Sequence, residues 1–458
     1  MKTILLIILT VLCIPIYSQV GPTSNWYFGN LAGITFNSGT PVALTNSALS
    51  TTEGVATISD NSGALLFYTN GVNVWNRLHL LMTNGTGLLG HTSSTQSSII
   101  VQKPGSPNIY YIFCSDADAG PNGITYSEVN MTLSAGLGAV TINKNILLYS
   151  PSCEKLCAVR HCNNIDIWVV SHDWNTNTFR VWSVNSLGVG SITAWSNVGY
   201  IPTWISGPVP AQPAYGQLKS SFDGAKLATC YYGSSSGGNR LQLYDFNNST
   251  GVVSNAVTLA TDQGLYGCEF SPNSRILYAA TNPGLLLQFD LCTSQPRTVI
   301  SNAGAFIGSL QLAPDGKIYV ARNTISLSVI NNPNVLGLGC NYVNASLSLL
   351  GRNSSFGLPN FPSYYNQPTV GLQYSQLSCN TYDFSSIIPL SSCGSSNINS
   401  YIWDFGDGTT SMLQNPVHQF TDGNWIVTLT INNGCIQLSN TLNLNVNTGI
   451  ITGPIYKQ

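Results

Sequence analysis

The chain has 458 residues, enough for two or three domains, and only 7% of them are charged while 43% are hydrophobic. That balance excludes a disordered chain. The net charge of −2, without a basic run, excludes nucleic-acid binding, which needs clustered Lys and Arg. The surface must be solvated by Asn, Ser, Thr, Gln and Gly, as is common in secreted β-proteins.

Met1-Lys2-Thr3 is a short positive region, followed by the apolar run 4–16 and then Tyr17-Ser18-Gln19. This reads as a secretory signal peptide cleaved after Ser18, too short to span a bilayer. Leu12 precedes Cys13 where a lipid-attachment box needs a small residue, so lipidation is not expected. No later stretch approaches the roughly twenty apolar residues of a transmembrane segment. Twelve cysteines fit an oxidising compartment. Removing Cys13 leaves an odd number, so at least one stays free or pairs elsewhere.

Trp26-Tyr27-Phe28-Gly29 and Ile34-Thr35-Phe36 read as strands, and degenerate strand pairs follow at 64–75, 109–129 and 165–184. Asp116-Ala117-Asp118-Ala119-Gly120-Pro121-Asn122-Gly123 alternates oxygen ligands like a calcium loop but lacks the downstream bidentate Glu. A hairpin loop between Phe113 and Tyr126 explains it equally well. Cys153, Cys157 and Cys162 have nearly zinc-like spacing, yet His161 is the one nearby candidate for a fourth ligand. Disulfides or buried thiols are expected there, with no metal and no cofactor. The segment from His161 to His172 reads as a hairpin turning at Asn163-Asn164, which sets His161 opposite Asp166 and His172 near Lys155. The two histidines are then not a dyad. Either they are polar ends of strands, or Glu154, His161 and His172 line one mouth of a channel as ligand contacts.

Three clear repeats follow: Ser221-Phe222-Asp223-Gly224-Ala225-Lys226-Leu227, Ser271-Pro272-Asn273-Ser274-Arg275-Ile276-Leu277-Tyr278 and Ala313-Pro314-Asp315-Gly316-Lys317-Ile318-Tyr319. Each is a turn running into a strand, with Pro, Asp or Asn, and Gly supplying the reversal. A second strand follows each, at 241–245, 285–290 and 327–331, ending at Asp245, Asp290 and Asn331. Six such units without amphipathic helices predict blades stacked about an axis. Gly357-Leu358-Pro359-Asn360-Phe361 is the expected partner of the N-terminal strands, closing a ring of about seven blades and removing exposed sheet edges. The turns resemble those of TolB-like and WD-repeat-like propellers.

Tyr401-Ile402-Trp403-Asp404-Phe405-Gly406-Asp407-Gly408, then Asn415 to Phe420, Gly423 and an alternating strand over 425–431, resemble a PKD domain. The resemblance implies an immunoglobulin-like β-sandwich, found mostly in secreted and cell-surface proteins, with a structural role for His418. Cys379–Cys435 is the slightly preferred disulfide in that segment. The combination with a propeller resembles large secreted proteins of the Bacteroidetes type, which often carry a type IX sorting domain; here a short tail is expected instead. The expected architecture is all-β: signal peptide 1–18, β-propeller 19–372, PKD domain 373–447 and tail 448–458.

Nothing in the sequence resembles a nucleophile elbow, a zinc-protease helix or a phosphate loop. Arginines are scattered, without the cluster a sialidase-like site needs, and most carboxylates sit in turns. No catalytic residue is assigned. The expectation is a secreted or cell-surface binding or adhesion protein, its propeller meeting an extracellular protein or glycan and its PKD domain acting as a spacer. Trp195 and Trp204 are candidates for stacking on sugar rings, or for the core. The alternatives are a propeller-based glycan hydrolase or lyase, and a purely structural surface component.

Overall fold

The three repeated turns fold alike because they solve one problem: reversing the chain within a few residues. The amide of Ser221 donates to the Lys226 carbonyl at 3.0 Å, that of Ser271 to Ile276 at 2.7 Å, and that of Ala313 to Lys317 at 2.9 Å. Gly224, Ser274 and Gly316 occupy the same place with φ of 65°, 61° and 75°, the left-handed region that a Gly enters freely. In the first two repeats a cation then follows the turn and meets an acid at or near the end of the third strand. Lys226 pairs with Asp245, and Arg275 Nη2 lies 2.7 Å from Asp290 Oδ2. Two of the three polar ends noted in the repeats, Asp245 and Asp290, are thus ion-paired with the neighbouring strand.

The computed structural model describes residues 20–448 except 206–210, 234–236, 294–295, 303, 367–369, 389–397, 434 and 436. The expected signal peptide, its expected cleavage site after Ser18 and all but the first residue of the expected tail lie outside them. Among the described residues no helix is long and apolar enough to cross a membrane.

Four antiparallel four-stranded sheets follow one another from Cys157 to Ser348. They begin with the inner strands Cys157–Arg160, Leu218–Ser220, Cys268–Phe270 and Leu310–Leu312. Two earlier blades begin with Ala56–Ser59 and Ser98–Gln102, and join into one sheet where Ala139 pairs with Thr83. The remaining blade is made by both ends of the propeller. Asn25–Phe28, Ala32–Thr35 and Val42–Leu44 form a three-stranded sheet, and residues 357–361 supply the innermost segment. That segment bridges Val55 in parallel, with the Asn360 amide 2.8 Å from the Val55 carbonyl, while Phe356 accepts from Ser309 at 2.8 Å on the other side. Phe361 packs on Trp26 with ring centroids 5.8 Å apart, and Trp26 meets Tyr319 of the preceding blade at 5.7 Å. The propeller therefore has seven blades, closed between N-terminal strands and a C-terminal segment.

Inner strands are buried on both sides, so their polar residues must find partners in one another. Lys219 Nζ lies 3.1 Å from Glu269 Oε2 and 2.6 Å from Gln311 Oε1, linking the inner strands of three successive blades. Burial raises the Glu269 pKa, and Lys219 pulls it back. Gln96 Oε1 accepts from the amides of Leu156 and Leu218, and Gln217 Oε1 from those of Cys268 and Leu310.

The second unit is a β-sandwich. One sheet holds Gly371–Gln376, Thr381–Ile387 and Val417–Gln419; the other holds Ser400–Asp404, Thr410–Ser411, Gly423–Asn432 and Gln437–Val446. Trp403 and Phe405 alternate inward, as do Val427, Leu429 and Ile431, and Asp407 caps the turn by accepting from the Thr409 amide at 2.9 Å. His418 stacks on Phe405 at 3.9 Å and lies 2.7 Å from Asp407 Oδ2, so it ties the turn to the core. Val370 and Leu372 belong to this core and its first strand begins at Gly371, so the sandwich starts slightly before the expected residue 373.

The Cys379–Cys435 bridge is not formed. Cys379 is an exposed free thiol in a hairpin of the first sheet, whereas Cys435, in a hairpin of the other, is disulfide-bonded. Cys162 and Cys292 are also disulfide-bonded, while Cys153 and Cys157 are buried thiols.

Candidate functional site

In the second to sixth blades the chain enters each inner strand from the same end of the ring, and the residues just before those strands form its upper mouth. Glu53, Thr95, Glu154 and Tyr215 each stand three residues before an inner strand, with Tyr266 two before the next. Phe306 and Phe356 precede the inner strand and inner segment that complete the ring. One side of the mouth is therefore acidic and polar, and the other aromatic.

On the acidic side, Glu154 is fully buried. Its Oε2 accepts from the Thr95 amide at 2.7 Å and hydroxyl at 3.0 Å, and its Oε1 from the Asp118 amide at 2.9 Å. Burial raises its pKa to about 7 against the pull of those donors. Glu53 is held well above the ordinary carboxylate range, first by burial and then by the charges of Glu154 and Asp118. Three satisfied acceptor bonds favour the charge on Glu154, which leaves Glu53 as the group that keeps a proton. Tyr266 sets a buried hydroxyl beside Glu53 and Thr95. Tyr215 donates to Asp118.

On the aromatic side the rings touch in sequence. Tyr215 to Tyr232 is 6.2 Å between centroids, Tyr232 to Tyr266 6.3 Å, Tyr266 to Phe306 5.4 Å and Phe306 to Phe356 4.4 Å. Apart from Tyr266 these rings are half-buried. Trp204, 55% exposed, packs edge-on against Trp174 at 5.2 Å; Trp195, 66% exposed, lies on an outer strand opposite Arg180. Neither is core.

The three residues expected to line one mouth are placed apart. Glu154 is in the upper mouth. His161 sits in the turn at the opposite end of the blade, its amide donating to the Asp166 carbonyl at 2.9 Å as the hairpin register requires. His172 ends the strand Ile167–His172 near the upper end but is sealed inside, edge-on to Phe179 and Tyr231. Its Nδ1 lies 2.8 Å from the Asp173 carbonyl, and burial lowers its pKa to about 3. At about 3.3 Å per residue, the strand between them keeps the histidines well over 10 Å apart. Lys155, next to Glu154, is also buried, its Nζ donating to the carbonyls of Tyr215, Gly216 and Cys230 at 2.7, 2.9 and 2.7 Å.

Sequence reasoning missed Glu53, Tyr266, Phe306 and Phe356. Their signal was positional: aligning the chain on its inner strands puts them in equivalent places, but those strands are as short as three residues and carry little pattern. The calcium-like loop spends its oxygens internally, Asp116 accepting from the amides of Ala117 and Asn122 at 2.9 and 3.0 Å. Among the described residues no three His, Cys, Asp or Glu side chains are grouped to hold a metal ion.

No curated protein matches the chain. Among solved structures, it is similar to the periplasmic gluconolactonase PpgL of Pseudomonas aeruginosa at 12% identity and a TM-score of 0.39, covering 76% of this chain and 94% of that one. It is similar to a putative 6-phosphogluconolactonase of Bacteroides fragilis at 10% identity and a TM-score of 0.37, covering 86% and 94%. The PKD1 domain of the Vibrio cholerae metalloprotease PrtV matches at 27% identity and a TM-score of 0.15, covering 18% of this chain and 96% of that domain. Residues 366–446 match the family model of the PKD domain, and the C-terminal sandwich is a PKD domain.

Proposed function

We propose that this is an extracellular or cell-surface binding protein, in which the upper mouth of the propeller captures a saccharide and the PKD domain acts as a spacer. The PKD domain and the disulfide-bonded cysteines are consistent with that location. The observation that carries the reading is the division of the mouth. An arc of touching aromatic rings, half-buried apart from Tyr266, stands at the same end of the ring as the carboxyls of Glu53 and Glu154. A sugar has the matching surface, with C–H faces that stack on rings and hydroxyls that bond to carboxylates. A glycan array on the mature chain tests this. Capture of one glycan class, lost in a Phe306→Ala/Phe356→Ala double variant that still folds, is the expected result; capture that survives the double variant places binding elsewhere.

A second reading is a glycan hydrolase or lyase, supported by the Glu53 and Glu154 pair. Two neighbouring carboxyls with unequal surroundings, one retaining a proton near neutrality, make a general acid beside a base. Turnover of an oligosaccharide that disappears in Glu53→Gln while binding persists would favour this reading over simple capture.

A further inference from the structure

The lower end of the propeller holds two adjoining hollows. The turns that leave the inner strands, near residues 103–107 and 161–166, and the single helical turn Ser363–Asn366 enclose a cleft of about 550 Å³. A second hollow of about 420 Å³ adjoins it, sharing Pro22, Asn61, Gln102, Pro107 and Tyr365. These volumes are within the range of small-molecule sites.

The chemistry of this cleft is opposite to that of the mouth. Arg160 and Lys103 both line it, and neither forms an ion pair among the described residues. No carboxylate lines the larger hollow. Asp60 borders the smaller one, but its Oδ1 already accepts from the amides of Ser62 and Ala64 and from the Ser62 hydroxyl. Asp166, in the turn with Asn164 and Ile165, accepts from Asn163 Nδ2 at 2.8 Å. Arg160 lies over the Tyr364 ring, its guanidinium carbon 4.9 Å from the ring centre, which leaves its N–H groups for another partner. Tyr364 itself is only 7% exposed, with its hydroxyl buried beside Tyr365.

We propose that this lower cleft is a second binding site, for a small organic anion whose carboxylate is held by Arg160 and Lys103 and whose ring-sized body lies against Tyr364 and Tyr365. A guanidinium fixed over an aromatic ring binds a carboxylate in a defined orientation. The site is independent of the upper mouth and stands whether or not that mouth binds sugar.

The test is calorimetric titration of the full mature chain with D-galacturonate, and with D-galactose as the uncharged counterpart. Galacturonate binding, absent with galactose and weakened by added salt, is expected. Lys103→Gln, in a surface turn, and Arg160→Gln should each weaken it at least tenfold. Absence of galacturonate binding, equal binding of galactose, or unchanged affinity in Lys103→Gln and in folded Arg160→Gln would each overturn the proposal.

Discussion

Lys155 shows how a charge can be kept inside a protein of so few charges. Burial lowers its pKa, but three carbonyls from the next blade accept all three ammonium hydrogens, and Tyr231 lies 4.8 Å below the charge. Replacing one partner strands the others, so Lys155→Met should cost about 3 kcal/mol or more of unfolding free energy, read by denaturant titration. His172 makes the opposite choice and is buried neutral. Its pKa is about 3 in the fold and 6.5 in the reference state. Between those values the unfolded chain binds a proton that the folded chain refuses, so stability falls as pH drops through that window. In His172→Phe the fall between pH 6 and pH 4 should be shallower; an identical slope would show that other groups govern acid unfolding. Glu53 has the reverse sign. A carboxyl whose pKa is raised by folding costs stability above its unfolded pKa, increasingly as pH rises toward the folded value. Glu53→Gln should therefore raise the Tm at pH 8 and leave it nearly unchanged at pH 4.

At the scale of elements, the blade is the unit, and its middle is what the sequence exposes. The segments 64–75, 109–129 and 165–184 each turned out to be second and third strands of a blade, such as Ile167–His172 with Thr178–Asn185. Those strands alternate and are bounded by turn residues, so pattern reveals them. Inner strands such as Leu218–Ser220 escape because three wholly buried residues have no period. With them escaped the glutamines: nothing in the letters around Gln217 says that its side chain will accept from amides of two later blades. Gln217→Leu should leave the Cys268 and Leu310 amides buried without an acceptor, at about 1–3 kcal/mol each, and open amide exchange in those two inner strands first. The sandwich was far more legible. Tyr401 to Gly408 encodes its strand and turn locally, and its core alternates in plain sight at Val427, Leu429 and Ile431. The site was legible in part: Glu154 is in the mouth, but grouping it with His161 overlooked that a hairpin sends its turn and its strand end to opposite ends of a blade.

For the whole molecule, the described chain divides into two compact units, residues 20–366 and 370 onward. Limited proteolysis in the short stretch between them should yield two fragments that each retain β-structure; loss of structure in both on a single cut would show that neither unit folds alone. The ring itself imposes an order of events. Thr23 Oγ1 donates to Asn366 Oδ1, a contact between residues 343 apart in sequence, and residues 357–361 fill the last inner position. Until that segment has emerged, the first blade lacks its innermost strand and the blades form an open arc with two raw edges. A chain synthesised from its N-terminus is therefore unable to close until most of it has been made. Its slowest folding step should be the final long-range closure, and its period of greatest risk from aggregation should end only when Phe361 reaches Trp26.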